Sequence, residues 1–140
     1  MHIGHGHYKR SMGYVENIAH EIHSILLAPK EKVNGKTFYV GDPEPTDLYE
    51  FAEEVKRQMG ARKIMKMPYM MAKGLAICGD ILKLLGWVNA PLTSFRLNNI
   101  MTEYVFDLTP IMEISKPLPF TIKEGIVRSI EWMREMKIIK

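Results

Sequence analysis

The chain has 140 residues, of which 46% are hydrophobic and 25% charged, the proportions of one ordinary globular domain rather than of a disordered segment. Lys and Arg exceed Asp and Glu by 19 to 16, a net charge of +3 with the five His neutral; this suits a local anionic ligand such as phosphate, and no basic run marks a nucleic-acid groove. A single cysteine, Cys78, excludes a disulfide-built domain.

No signal peptide is visible, because MHIGHGHYKR offers no apolar segment before its charges. The long apolar stretch at 67–88 is interrupted by Lys73, Asp80 and Lys83 and by Gly74, Gly79 and Gly86, which argues against a spanning helix. A helix lying on a membrane surface is the alternative reading of that stretch. The expected location is the cytoplasm, with neither membrane nor nucleic acid as partner.

The opening segment, rich in Gly and His, reads as a loop. Residues 10–15 (RSMGYV) read as a short strand. Asn17 is a helix N-cap candidate, and Val15, Ile18, Ala19, Ile22, Ile25 and Leu26 follow helical spacing until Pro29. After a charged turn at 30–35, the β-branched and aromatic residues 37–40 (TFYV) predict a strand stopped by Gly41-Asp42-Pro43. Thr46 or Asp47 caps the next helix, whose buried stripe is Leu48, Phe51, Ala52, Val55 and Met59 and whose end is Gly60. A strand is expected at 63–67. Pro68 then opens a long helix to about Leu85, closed by Gly86. Pro91 and Thr93 begin a short helix through Asn99, 104–107 (YVFD) reads as a strand, and Thr109-Pro110 starts a helical turn ending before Lys116-Pro117. Thr121 and Glu124 form a capping box for the last helix, with Ile122, Ile126, Ile130 and Met133 on its apolar positions. The fold class is α/β: three or four short strands among five or six helices, without repeats. Each apolar stripe needs a surface to cover, and the chain supplies no convincing central sheet.

The chemical motifs favour plain structural roles. Gly4-His5-Gly6 begins a dinucleotide fingerprint, but the third glycine of G-x-G-x-x-G falls on Lys9. His2, His5 and His7 could crowd a metal, yet no carboxylate stands nearby in sequence, and they read as a solvated loop or a cloning remnant. His20-Glu21-Ile22-His23 is one residue short of H-E-x-x-H, so the zincin arrangement is not set up, and no metal is expected. Tyr69 and Lys73 have the Y-x-x-x-K spacing in which a Lys lowers the phenol pKa, but an amphipathic helix produces it by chance, and no catalytic residue is assigned. Cys78, between Ile77 and Ile81, reads as a small core residue, and Asp80 with Lys83 as a weak surface pair. Arg10, beside Ser11 at the start of a strand, can present a bidentate fork to a phosphate, and Arg96, near Asn98 and Asn99, is a second clamp candidate; the bland reading of either is a solvated side chain.

The segments 10–22 (RSMGYVENIAHEI), 35–55 (GKTFYVGDPEPTDLYEFAEEV), 104–109 (YVFDLT) and 118–135 (LPFTIKEGIVRSIEWMRE), in this order, resemble the C-terminal part of extended short-chain dehydrogenase/reductases, the NAD-dependent epimerase/dehydratase group that includes UDP-glucose 4-epimerase. The stretch MPYMMAKGLAICGDILKLLG followed by PLT also resembles the sterol-dehydrogenase branch of that superfamily. The resemblance implies that residues 1–140 form one C-terminal substrate-binding lobe of an extended Rossmann-type fold, with the dinucleotide-binding half missing. It implies that Arg10 contacts the diphosphate of a nucleotide-sugar substrate, that Arg96 is a looser match to a second phosphate contact, and that the sugar pocket draws on Met65, Met67, Tyr69 and Pro91. NAD(P) is the cofactor of the full-length family and none is expected on this chain alone; the implied partners are a Rossmann domain or a second copy. A sterol-type 3β-hydroxysteroid-dehydrogenase-like fragment and a non-catalytic interaction module are the alternatives.

Overall fold

The structure, a computed structural model, describes residues 2–87 and 89–139. Helices dominate it, and the β-structure is fragmentary. Strand β1 (His2–Ile3) pairs in parallel with β4 (Lys66–Met67), and β2 (Lys9–Arg10) pairs antiparallel with β3 (Thr46–Asp47), placing Arg10 opposite Thr46. An isolated parallel bridge joins Arg10 to Tyr104 on the other side of β2. The helices are α1 (Val15–Leu27), α2 (Lys30–Val33), α3 (Leu48–Met59), α4 (Tyr69–Leu84), α5 (Ser94–Met101), α6 (Thr109–Ser115) and α7 (Ile122–Glu135).

Several local signals act as the sequence predicts. The Asp47 side chain accepts hydrogen bonds from the Tyr49 and Glu50 N–H groups, Gly60 closes α3 at φ +61°, and Thr121 with Glu124 completes a reciprocal capping box on α7. Thr93 caps α5, where the Asp80 carboxylate also accepts from the Ser94 N–H at 3.1 Å. Asp80 therefore caps a helix rather than pairing with Lys83.

Other expectations fail for tertiary reasons. The strand expected at 10–15 stops after Arg10, because Ser11 and Met12 turn their backbone groups to Tyr104 and Asp42. Tyr14 and not Asn17 precedes α1, and Asn17 is buried inside the helix. The charged turn at 30–35 contains the short helix α2, the strand expected at 63–67 shrinks to β4, and that at 104–107 shrinks to the bridge at Tyr104. His2 is not a solvated loop residue but a buried one, stacked at 4.5 Å on Tyr49. Cys78 is exposed rather than in the core. Residues 37–40 are extended but enter no ladder: among the described residues no backbone hydrogen bond reaches them. Phe38 nevertheless packs on Leu108, Ile111 and Met112, so the segment is held on one side and open on its edge.

Two small cores result. Ile3, Ala72, Ala76 and Leu97 hold β1, α4 and α5 together, and Leu108, Ile111 and Met112 hold α6 against α1 and Phe38. A third contact joins α3 to α7, but it does not bury the expected stripe of α3: Leu48, Phe51, Ala52 and Val55 are half-buried and Met59 is exposed, because α7 covers that face only in part. Two helices are turned outward. Helix α1 buries Asn17 and Glu21 and exposes Val15, Ile22, Leu26 and Leu27. Helix α4 buries Ala72, Ala76 and Gly79 and exposes its larger apolar side chains. The accessible surface is 10081 Å² for 16.2 kDa, whereas a finished monomer of that mass exposes roughly 7,500 Å². No helix among the described residues is long and apolar enough to cross a membrane.

Candidate functional site

The candidate anion site grows from β2. Pairing with β3 on one side and the Tyr104 bridge on the other fix the backbone of Arg10, and its side chain reaches the C-terminal end of α5. There Nη2 donates to the carbonyls of Asn99, Ile100 (3.3 Å) and Thr102 (3.4 Å). The last carbonyls of a helix carry its negative pole, so a guanidinium is favoured at this position. The fork lies 5.2 Å from the centre of the Tyr104 ring, and the Tyr104 hydroxyl donates to Asn99 Oδ1. One buried donor is left over: Arg10 Nε has no partner among the described residues. A buried donor without an acceptor is costly, and an incoming oxygen would relieve it.

Arg96 lies at the other end of the same helix. Its Nη1 donates to the carbonyls of Ala90 (2.8 Å) and Pro91 (3.2 Å). The eight residues of α5 span about 12 Å, so the two guanidinium groups are anchored at opposite ends of one short helix. Pro91 contributes a carbonyl to Arg96, and its ring is exposed. Met67 packs against the Ile3–Ala72 core, and its carbonyl accepts from Gly4 N. Met65 is exposed, its carbonyl taken by His2 N. Tyr69 opens α4 and is exposed. Arg10 thus reaches the end of α5 from β2, and the other five residues lie along the β4 and α4–α5 part of the fold. A groove of about 890 Å³ between α3 and α7 has none of them in its lining; Asp47, Glu50, Glu53, Lys56 and Lys123 are among its walls. Among the described residues no three His, Cys, Asp or Glu side chains are placed to hold a metal.

A second polar cluster, buried between α1, the 41–42 turn and the start of α7, was not legible as a unit in the sequence. Asn17 Nδ2 donates to Asp42 Oδ1 at 2.7 Å and to the Phe120 carbonyl at 2.8 Å, while Asn17 Oδ1 accepts from Phe120 N at 3.1 Å. Asp42 Oδ2 accepts from Tyr14 N, and Glu21 Oε2 accepts from Gly41 N at 2.9 Å. The clamp fixes Gly41 and Asp42, the residues that follow the unpaired segment 37–40. The only sequence signal was Asn17 itself, read as a cap. Nothing linear ties it to Asp42 or Phe120.

Glu21 carries an unusual charge state. Burial pushes its pKa up to about 7, the Asp42 carboxylate adds to the rise, and the Gly41 N–H and His20 oppose it. The folded pKa lies above the usual value of 4.5, so between those two values the folded chain binds more protons than the unfolded one. The contribution of Glu21 to stability is full below pH 4.5 and is lost as pH rises through about 7. Denaturant titrations at pH 5 and pH 8 are expected to differ by up to about 3 kcal/mol through this group. Glu21→Gln, which retains an acceptor for Gly41, is expected to flatten that dependence.

No family model, curated protein or solved structure matches the chain.

Proposed function

We propose that this chain is the substrate-binding part of an NAD(P)-dependent nucleotide-sugar epimerase or dehydratase, inactive alone and completed by a Rossmann-type segment that holds the cofactor. Hydride transfer to and from the nicotinamide belongs to that other segment; this chain would bind the diphosphate and cover the sugar. The observation that carries the reading is uncovered surface around an extended segment that, among the described residues, has no ladder partner. Residues 37–40 present free backbone donors and acceptors, and α1 beside them exposes Leu26 and Leu27. Such an edge invites a further strand, and helices that expose apolar faces invite a sheet. The surface exceeds that of a finished monomer of this mass by roughly 2,500 Å², part of which the Rossmann-type segment would cover. Arg10, with its unpartnered Nε, supplies the phosphate contact.

The test is a two-dimensional amide NMR titration of the chain with UDP. Peaks of Lys9, Arg10, Asn99, Thr102 and Tyr104 are expected to move. Arg10→Ala is expected to weaken binding by roughly tenfold to a hundredfold, the worth of a charge-assisted pair. A dispersed spectrum that UDP leaves unmoved, or equal affinity in Arg10→Ala, overturns the phosphate role.

A further inference from the structure

The outward face of α4 has a composition that its inward face makes conspicuous. Ala72, Ala76 and Gly79 are the buried side, and the segment leading into α5 approaches so closely that a Cβ on Gly79 would fall well inside contact distance of the Leu92 carbonyl oxygen. On the opposite side, an arc of roughly 180° holds no charged residue. It presents Met70, Met71, Ile77, Ile81, Leu84 and Leu85, the last two 87% and 78% exposed. The aromatic residues Trp87, just after α4, and Phe95, in α5, are exposed as well.

Charge is segregated to the same region. Residues 61–102 contain Arg62, Lys63, Lys66, Lys73, Lys83 and Arg96 against one acid, Asp80, a net charge of +5. Thirteen cations and fifteen acids remain for the rest of the chain, a net charge of −2. All six cations of the region are on exposed residues, and among the described residues none is paired with a carboxylate. Asp80 is occupied in capping α5.

We propose that the α4–α5 hairpin docks on an anionic lipid bilayer surface, with α4 lying in the interface plane. An uncharged face of flexible Met, Ile and Leu side chains, with Lys73 at one edge by helical spacing, Lys83 on the side toward α5 and further cations in the flanking segments, is the pattern of an interfacial helix. Anionic headgroups neutralise the +5, and the −2 remainder of the chain is repelled from the surface, which orients the molecule. A second copy of the chain fits worse, because a two-fold interface through this face would bring like charge against like. The inference stands on this hairpin and is independent of the nucleotide-sugar reading. It replaces the expectation, drawn from the sequence, of no membrane partner.

Co-sedimentation tests it, with vesicles of equal parts phosphatidylcholine and phosphatidylglycerol and with phosphatidylcholine alone. Trp87 fluorescence in a Trp132→Phe background reports the depth of insertion. The expected result is binding to the anionic vesicles with a blue shift of Trp87, and binding at least about tenfold weaker without the anionic lipid. Leu84→Glu with Leu85→Glu is expected to lower affinity at least about tenfold, while Leu26→Glu with Leu27→Glu, on the exposed face of α1, leaves it unchanged. A chain that stays in the supernatant overturns the proposal. Equal losses in the two double variants also overturn it, since the binding would then be general stickiness. A dimer broken by Leu84→Glu with Leu85→Glu, in a chain that ignores vesicles, would assign the face to a second copy instead.

Discussion

Gly79→Ala is expected to destabilise the chain by about 2 kcal/mol, while Gly74→Ala, in the same helix, is expected to stabilise it by up to about 1 kcal/mol. Both substitutions gain the helix propensity that alanine has over glycine. They differ in what the new methyl group meets. At Gly74 nothing lies within 4 Å, whereas at Gly79 the methyl falls on the Leu92 carbonyl, well inside contact distance. That oxygen belongs to backbone and cannot swing aside like a long side chain. Helix α4 must therefore move away from the 92–93 segment, loosening the contact of Ala72 and Ala76 with Leu97. Overpacking of this kind costs about 1–3 kcal/mol, and a clash with rigid backbone belongs at or above the top of that range before the propensity gain is subtracted. Thermal unfolding of the two variants side by side is the check. Shifts of the same sign would mean that α4 and α5 do not meet as described.

The second large effect is expected at Asn17. Asn17→Ala removes three hydrogen bonds at once and leaves the Asp42 carboxylate and both polar groups of Phe120 without that partner in a buried place. Each stranded group costs about 1–3 kcal/mol, partly relieved by water entering the space, so a loss of about 3 kcal/mol is expected. Asn17→Asp sharpens the test. The carboxylate still accepts from Phe120 N, but its other oxygen faces Asp42 and the Phe120 carbonyl, where Asn17 donates. At neutral pH Asn17→Asp is therefore expected to be at least as unstable as Asn17→Ala, and unlike Asn17→Ala to regain stability relative to the parent as pH falls toward the carboxyl range. Denaturant midpoints for the two variants across pH decide it. A variant as stable as the parent at either substitution would show that the clamp between α1, the 41–42 turn and Phe120 is not formed.

The sequence by itself determined the features that are local. Asp47, Gly60, Thr93 and the Thr121–Glu124 box each bond to groups within a few residues, so their effect is written in the spacing. The helices that they bound stand where the apolar period placed them. The lack of a convincing central sheet for the apolar stripes was legible too: the described sheets have two strands each, and α1 and α4 expose apolar faces. Strand existence was decided elsewhere. Residues 37–40 have the right composition, but a strand is defined by a neighbour, and among the described residues nothing hydrogen-bonds to their backbone.

Tertiary structure alone decided which polar residues matter. Asn17 reads locally as a cap and becomes a clamp because Asp42 and Phe120, 25 and 103 residues away, fold onto it. Arg10 reads as a phosphate fork, and the fold shows in addition what it holds in place, the carbonyl end of α5. Helix α4 reads as an amphipathic helix with Cys78 on its core side; the close approach of Leu92 to Gly79 instead selects the small residues as the inside and turns the Met, Ile and Leu side chains outward. Propensity and capping act over one helical turn and are legible in a linear string. Burial, hydrogen-bond partnership and the choice of a face are properties of distant segments brought together, and no spacing along the chain encodes them.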